Sequence, residues 1–324
     1  MTTTISITDC PLYKLSSKSK LARLLGCNTQ FLHNFRSSKS QYSLFTLPKK
    51  HDSKERRPIE DPKPYIKDMH NRLKNLLSPV AVPDYLNSGR KGKSHIDNAK
   101  AHVGHPFCVT LDIKSFYQSG RKTFLYHMFR NTFQMSDDIA WLLADLVTIN
   151  KGQKDSYFPT GSPISQLMIF WCYKQTFDEI DAFCRSKDIT FSLYVDDMTF
   201  SSEHPISKST IKHIIKRLKH VHLDINDGKT EFYNANQTKL ITGCALTKSG
   251  LQVRNKKRLD IIKSIKNSDI NKMSAVEIRP ILGKITSQQQ VTAGFMNPTK
   301  QKLLARQKNI RKTNKKAKKI NTTF

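Results

Sequence analysis

Apolar positions along the chain switch repeatedly between helical and strand spacing. KLARLLGC and NTQFLHNF read as two short helices, with Asn28 or Thr29 as the cap between them. YSLFTLP and RRPIEDP read as strands on either side of the polar loop KKHDSKE, and PKPYIKDMHNRLKNLL regains helical spacing after its prolines. FCVTLDI (107–113) is a compact β-rich run carrying an acid near its end. Helical patterns follow around Phe124, Leu125 and Phe129, then around Ile139, Trp141, Leu142, Leu143 and Leu146. PTGSP (159–163) is a turn that opens a helix from about Ile164 to Cys184. ITFSLYVDDMTFSS (189–202) alternates up to an Asp-Asp pair and resumes beyond it, as a hairpin does. A helix at about 207–221, a short strand pair around LDIN and KTEFYN, and the run KLITGCALT complete this mixed region. From Arg254 onward the pattern is helical and basic. The expected class is α+β.

Composition adds a partner to this picture. The 324 residues, 37% hydrophobic and 25% charged, suit one large or two ordinary folded domains. Lys and Arg number 55 against 26 Asp and Glu, a net charge of +29, which points to a polyanion and so to nucleic acid. Charge alone also fits a generic basic protein such as a ribosomal component. Lys300 to Phe324 hold ten Lys/Arg and no acid, so this end is expected to be frayed or ordered only on RNA. The six cysteines are scattered without ligand spacing, which disfavours zinc and a disulfide framework. The start lacks the order of a signal peptide, and the apolar stretch Ile164–Cys172 is short and interrupted, so a cytoplasmic protein without a membrane partner is expected. GRKGKS (89–94) fails as a phosphate-binding P-loop because Asn87 stands where its first glycine is required.

The acids suggest the chemistry. Phosphodiester synthesis uses two hard cations about 4 Å apart, held by carboxylate oxygens and water. Asp112 closes a β-run, and Asp196 and Asp197 sit at the centre of a hairpin. Adjacent strand side chains point to opposite faces, so only a tight turn brings both of the latter to one site. Taken alone, the pair reads equally as an Asp-rich turn.

The order of segments decides between these. LDIKSFY, PTGSPIS, YVDD and GKTEFY follow one another as the corresponding boxes do in reverse transcriptases, and RRPI resembles their basic fingers strand. Asn98-Ala99-Lys100-Ala101-His102 resembles the N-A-x-x-H box, and Ile241-Thr242-Gly243 the V-T-G box, of the bacterial retron branch. The resemblance spans roughly residues 20–250. Thr160, Gln166 and Ile241 depart from the commoner Gln, Pro and Val of the family.

The resemblance implies an α+β right-hand polymerase with an antiparallel palm sheet. It divides the chain into an N-terminal helical segment (1–40), fingers (41–105), palm (106–245, with inserted fingers helices at about 121–188), helical thumb (246–310) and basic tail (311–324). It implies Asp112, Asp196 and Asp197 as ligands of two Mg²⁺ ions, with Mn²⁺ as an alternative, and Lys229 as general acid. Arg57, Lys67, Tyr117, Thr160 and Gly161 would meet the incoming nucleotide, Tyr117 as the gate under the sugar. Asn98, His102, Thr242 and Gly243 carry the branch's boxes, and Arg254, Lys256, Lys257 and Arg258 form a basic RNA-binding run. The partners implied are a cognate structured RNA serving as template and primer, its DNA product, deoxynucleoside triphosphates and an effector protein. The product would be a branched RNA-linked DNA, made within an anti-phage system. The rival readings are a group II intron-type reverse transcriptase and an RNA-binding scaffold or antitoxin-like subunit on a polymerase fold.

Overall fold

In chain order the elements are α1 (Lys18–Leu25), α2 (Thr29–Asn34), β1 (Tyr42–Pro48), β2 (Arg56–Pro62), α3 (Pro64–Leu77), α4 (His95–Lys100), β3 (Phe107–Asp112), α5 (Phe116–Ser119), α6 (Lys122–His127), α7 (Asp137–Val147), α8 (Ser165–Arg185), β4 (Thr190–Tyr194), β5 (Asp197–Ser202), α9 (Lys208–His220), β6 (Glu231–Tyr233), β7 (Lys239–Ile241), β8 (Cys244–Thr247), β9 (Gly250–Gln252), α10 (Asn255–Lys266), α11 (Ala275–Gln289) and α12 (Asn297–Asn321). The computed structural model describes residues 4–35, 39–48, 55–150, 156–266 and 269–321. The loop expected at 49–55 lies outside the described residues except for Glu55. The chain forms two compact units, Met1–Ser94 with Phe107–Phe232, and His95–Pro106 with Tyr233–Phe324.

The first unit is organised by a sheet of order β4-β5-β3-β6. Its antiparallel register pairs Val109 with Phe200, Leu111 with Met198, Phe191 with Phe200 and Leu193 with Met198. Cross-strand partners share a face, so these apolar residues form one buried surface. They join Phe177 and Ile180 of α8 and Ile211, Ile214 and Leu218 of α9 in a single core. The opposite face carries Cys108, Thr110 and Asp112 across from Ser201, Thr199 and Asp197. One face is therefore apolar and the other small and polar, with acids at its end. That is the alternation visible in FCVTLDI and ITFSLYVDDMTFSS.

The β1–β2 hairpin is fastened near its base. The hydroxyl of Tyr42 donates to the carbonyl of Thr148 at 3.2 Å. The buried carboxylate of Glu60 accepts from the backbone N–H of Thr160 at 3.1 Å and from its hydroxyl at 2.8 Å. The N–H of Gly161 donates to the Glu60 carbonyl at 3.0 Å. A Cβ on Gly161 would stand 2.7 Å from that carbonyl oxygen and 2.9 Å from the Asp61 Cα, so only glycine allows this approach. The rest of β1 is exposed, including Leu44, Phe45 and Leu47. Below the hairpin, His70 of α3 is fully buried between the Leu146 carbonyl at Nε2 (2.8 Å) and the Ser162 hydroxyl at Nδ1 (2.8 Å). Nε2 must donate to the carbonyl, so Nδ1 accepts from Ser162 and the ring is neutral.

In the second unit, β7-β8-β9 form a small antiparallel sheet against which α4 packs. Helices α10, α11 and α12 share a core of Ile261, Met273, Ile278, Ile281, Ile285 and Leu303. Helix α11 opens on a capping box of Ser274 and Glu277.

Two expectations are corrected. LDIN does not pair as a strand with KTEFYN; Ile225 makes a single bridge to Ile113. The basic end is not frayed along its length, because α12 runs to Asn321, with Leu303 buried and Ile310 packed on the unit's core. Its Lys, Arg, Gln, Ala and Leu residues are strong helix formers, and two apolar anchors one face apart suffice to dock it. Among the described residues no helix is long and apolar enough to cross a membrane.

His70 gives this fold a pH signature. Burial pushes its pKa down to about 4. As pH falls below the ordinary histidine value of 6.5, the unfolded chain takes up a proton that folded His70 refuses until about 4. Stability is therefore lost across that window on acidification. In His70→Gln, urea midpoints are expected to be lower at pH 7 but to fall less steeply between pH 6.5 and 4. An equal fall in both proteins would mean the imidazole is not held neutral.

Candidate active site

The Asp-Asp pair is set by a two-residue turn. Tyr194 pairs with Asp197, leaving Val195 and Asp196 as the turn residues. Val195 has φ 60°, a left-handed conformation rare for a β-branched side chain, and its N–H is held by the Ser88 hydroxyl at 2.9 Å. The Asp196 carbonyl accepts from the N–H of Ile113 at 2.9 Å, which ties the turn to the end of β3. Asp197 lies directly across from Asp112. The tight turn expected from the sequence is thus present, and three carboxylates meet at one end of the polar sheet face.

Their electrostatics follow from crowding. Burial raises the Asp197 pKa to about 7, and the charges of Asp196 and Asp112 push it the same way. Asp196 is raised by burial and, less strongly, by Asp112. One cation answers them: the Lys229 ammonium stands 2.8 and 3.0 Å from the two carboxylate oxygens of Asp112. That hydrogen bond raises the lysine pKa in turn. Asn226, whose N–H donates to the Asp112 carbonyl at 2.8 Å, anchors the turn that delivers Lys229. Tyr117 is half-buried beside these groups, its phenol pushed up to about 12 by burial and then by the Asp196 charge.

The carboxylates fit hard divalent cations. They offer oxygen donors and excess negative charge, and the ammonium already drawn to Asp112 is what such a field selects. Among the described residues no three His, Cys, Asp or Glu side chains form a ready-made metal cage. A cation here would complete its shell with water and substrate oxygens.

The remaining predicted residues form two further groups. Thr160 and Gly161 dock on β2 through Glu60, as described above. Lys67 is not a free cation, since it pairs with Asp61 at 2.8 Å, and Arg57 lies exposed on the same strand. In the second unit Asn98 and His102 are fully buried, and burial, then the charge of His105, pushes the His102 pKa down to about 3. The Thr242 hydroxyl donates to the His95 carbonyl at 2.7 Å. Thr242 and Gly243 make the β7–β8 turn with φ 42° and 84°. Arg254, Lys256, Lys257 and Arg258 open α10, with Lys257 close enough to Gly243 to lie 3.6 Å from a Cβ there.

Glu60, His70, Ser88 and Asn226 are supporting residues that the sequence reading did not find. Only His70 carried a signal: it sits in the apolar stripe Ile66, Met69, Leu73, Leu77, where a polar residue must be buried and satisfied.

Comparison with known proteins gives the family. Residues 47–257 match the family described as reverse transcriptase (RNA-dependent DNA polymerase). The chain is 27% identical over 226 residues to the Retron Se72 reverse transcriptase of Salmonella heidelberg, covering 67% of this chain and 57% of that protein. It is 22% identical over 273 residues to the Retron Ec83 reverse transcriptase of Escherichia coli, covering 81% and 87%. The match thus spans little more than half of the Salmonella relative. Among solved structures, a foamy viral protease-reverse transcriptase in complex with double-stranded DNA aligns with a TM-score of 0.44 and 16% identity, over 76% of this chain and 36% of that one. The chain belongs to the reverse transcriptase (RNA-dependent DNA polymerase) family, and its likeness within that family is to the retron enzymes of bacteria.

Proposed function

We propose that the chain is an RNA-directed DNA polymerase that copies part of a cognate structured RNA into DNA. The observation that carries this reading is Asp112 opposite Asp197 in the β3–β5 register, with Asp196 in the adjoining turn and Lys229 on Asp112. Asp112, Asp196 and Asp197 would hold two Mg²⁺ or Mn²⁺ ions, which lower the pKa of the primer hydroxyl and offset charge on the triphosphate. Lys229, whose ammonium hydrogen-bonds Asp112, would give a proton to the departing pyrophosphate. Tyr117 lies under the sugar and excludes a 2′-hydroxyl by contact. Thr160 and Gly161 back the incoming nucleotide, held in register by Glu60. Arg57 and Lys67 grip the triphosphate, which requires Lys67 to exchange Asp61 for phosphate.

The polymerase divisions follow as a division of labour along the chain: helical N-terminal segment 1–40, fingers 41–105, palm 106–245, thumb 246–310 and tail 311–324. They cut across the two compact units. Selection of the cognate RNA falls to the region from Leu251, whose helices carry basic side chains on a rigid frame. A branched RNA-linked product, a cytoplasmic setting and a role with an effector in phage defence are part of the same proposal and rest on the resemblance of the sequence boxes to the retron branch.

Two substitutions test the chemistry. Asp197→Asn is expected to lower Mg²⁺-dependent primer extension on RNA by on the order of a thousandfold. Its thermal midpoint should equal or exceed the parent's, because a buried, repelled charge is gone. Extension near the parent's rate would sink the assignment. Tyr117→Ala should admit ribonucleotides more readily in competition with deoxynucleotides, whereas Tyr117→Phe should discriminate as before. Unchanged discrimination in the alanine variant would make Tyr117 a packing residue.

A further inference from the structure

The second unit holds a cavity of about 450 Å³ lined by Lys257, Asp260, Ile261, Lys263, Ser264, Lys284 and Gln288. It lies along α10 and α11, and three lysines and one aspartate line it. Lys263 and Lys284 are exposed, while Lys257 is half-buried and braced against the Thr242–Gly243 turn. Ser264 does not oppose the positive charge, since its hydroxyl donates to the Asp260 carbonyl at 2.8 Å and stands 3.4 Å from the Lys284 ammonium.

Gln288 is the unusual member. Its side chain is 9% exposed, and its amide oxygen has no hydrogen-bond partner among the described residues. A buried acceptor left unmet costs free energy that a merely structural glutamine would not be kept for. The cavity therefore calls for a ligand that presents negative charge to lysines and a hydroxyl to an amide within one small unit. A phosphodiester alone supplies the charge but no donor. A ribose 3′- or 5′-phosphate supplies both, and its 2′-hydroxyl, being donor and acceptor, satisfies the amide in either orientation. Within a strand, where the 3′- and 5′-oxygens are esterified, a deoxyribose phosphate has no hydroxyl left to offer.

We propose that this cavity binds one ribose-phosphate unit of an RNA strand, the phosphate on Lys257, Lys263 and Lys284 and the 2′-hydroxyl on Gln288. It deepens the RNA-handling reading above, because it gives the second unit a means of telling RNA from DNA that is separate from base sequence and from the carboxylate site.

The test is binding of a fluorescent RNA hairpin and of the DNA hairpin of equal sequence to the full chain, without metal or nucleotide. The parent should prefer RNA. Gln288→Met, which keeps length and loses polarity, should reduce that preference by about fivefold, the worth of one hydrogen bond, with DNA affinity unmoved. Lys263→Gln with Lys284→Gln should weaken both hairpins and lower the salt slope by roughly 0.7 to 0.9 per lysine. Asp197→Asn keeps this inference separable from the polymerase reading, since it should lose primer extension yet prefer the RNA hairpin as the parent does. An unaltered preference in a Gln288→Met protein with the parent's melting temperature overturns the proposal. So does displacement of the RNA by micromolar adenosine monophosphate, which would make the cavity a free-nucleotide site. Should Gln288→Met unfold, single 2′-deoxy substitutions along the RNA decide instead: one position must lose affinity as the variant would, and a uniform response refutes the idea.

Discussion

Asp112, Asp196 and Asp197 repel one another, and the first unit holds them together because the strands beneath them cannot separate. Cross-strand pairing fixes Asp112 opposite Asp197, and the apolar side of the same residues' strands is sealed by α8 and α9. Slipping the register by one residue would carry the acids into the core and Leu111 and Met198 to the polar face. The core thus enforces a like-charge cluster that the cluster itself would disperse. The Lys229 ammonium on Asp112 relieves part of the repulsion, while burial and then the charges of Asp196 and Asp112 keep the Asp197 pKa raised.

The second tie in this unit works by hydrogen bonds rather than apolar burial. Glu60 clasps Thr160, Gly161 approaches the β2 backbone without a side chain, and neutral His70 steadies Ser162 one residue on. These contacts make the PTGSP turn and the β1–β2 hairpin one object although some hundred residues part them in sequence. Moving either would move both, so the residues proposed to face the nucleotide on two distant segments share one support.

Much of this was legible in the sequence. The strand ending at Asp112 and the Asp-Asp turn follow from period-two alternation, which a two-faced sheet imposes, and the hairpin strands 42–48 and 56–62 from their place on either side of a polar loop. What alternation cannot convey is which polar groups meet across long separations. The resemblance sets Lys67 toward the nucleotide, yet its ammonium pairs with Asp61 at 2.8 Å once the helix is formed. Glu60 reads as an ordinary exposed strand acid, and only the docked turn turns it into a buried acceptor. The basic end was misjudged for a related reason: charge composition predicts solvation, but two well-spaced apolar residues outweigh it when a core is available.

Val195 stands in a conformation that β-branched residues avoid, at a cost of roughly 1–3 kcal/mol. That cost is met once, when the chain folds. A template-copying enzyme repeats the same chemical step at every nucleotide, so a turn that arrives already bent spares each cycle the reorganisation of its acids. Viewed over a molecule's working life, a single strained dihedral is divided among all the bonds it helps to make.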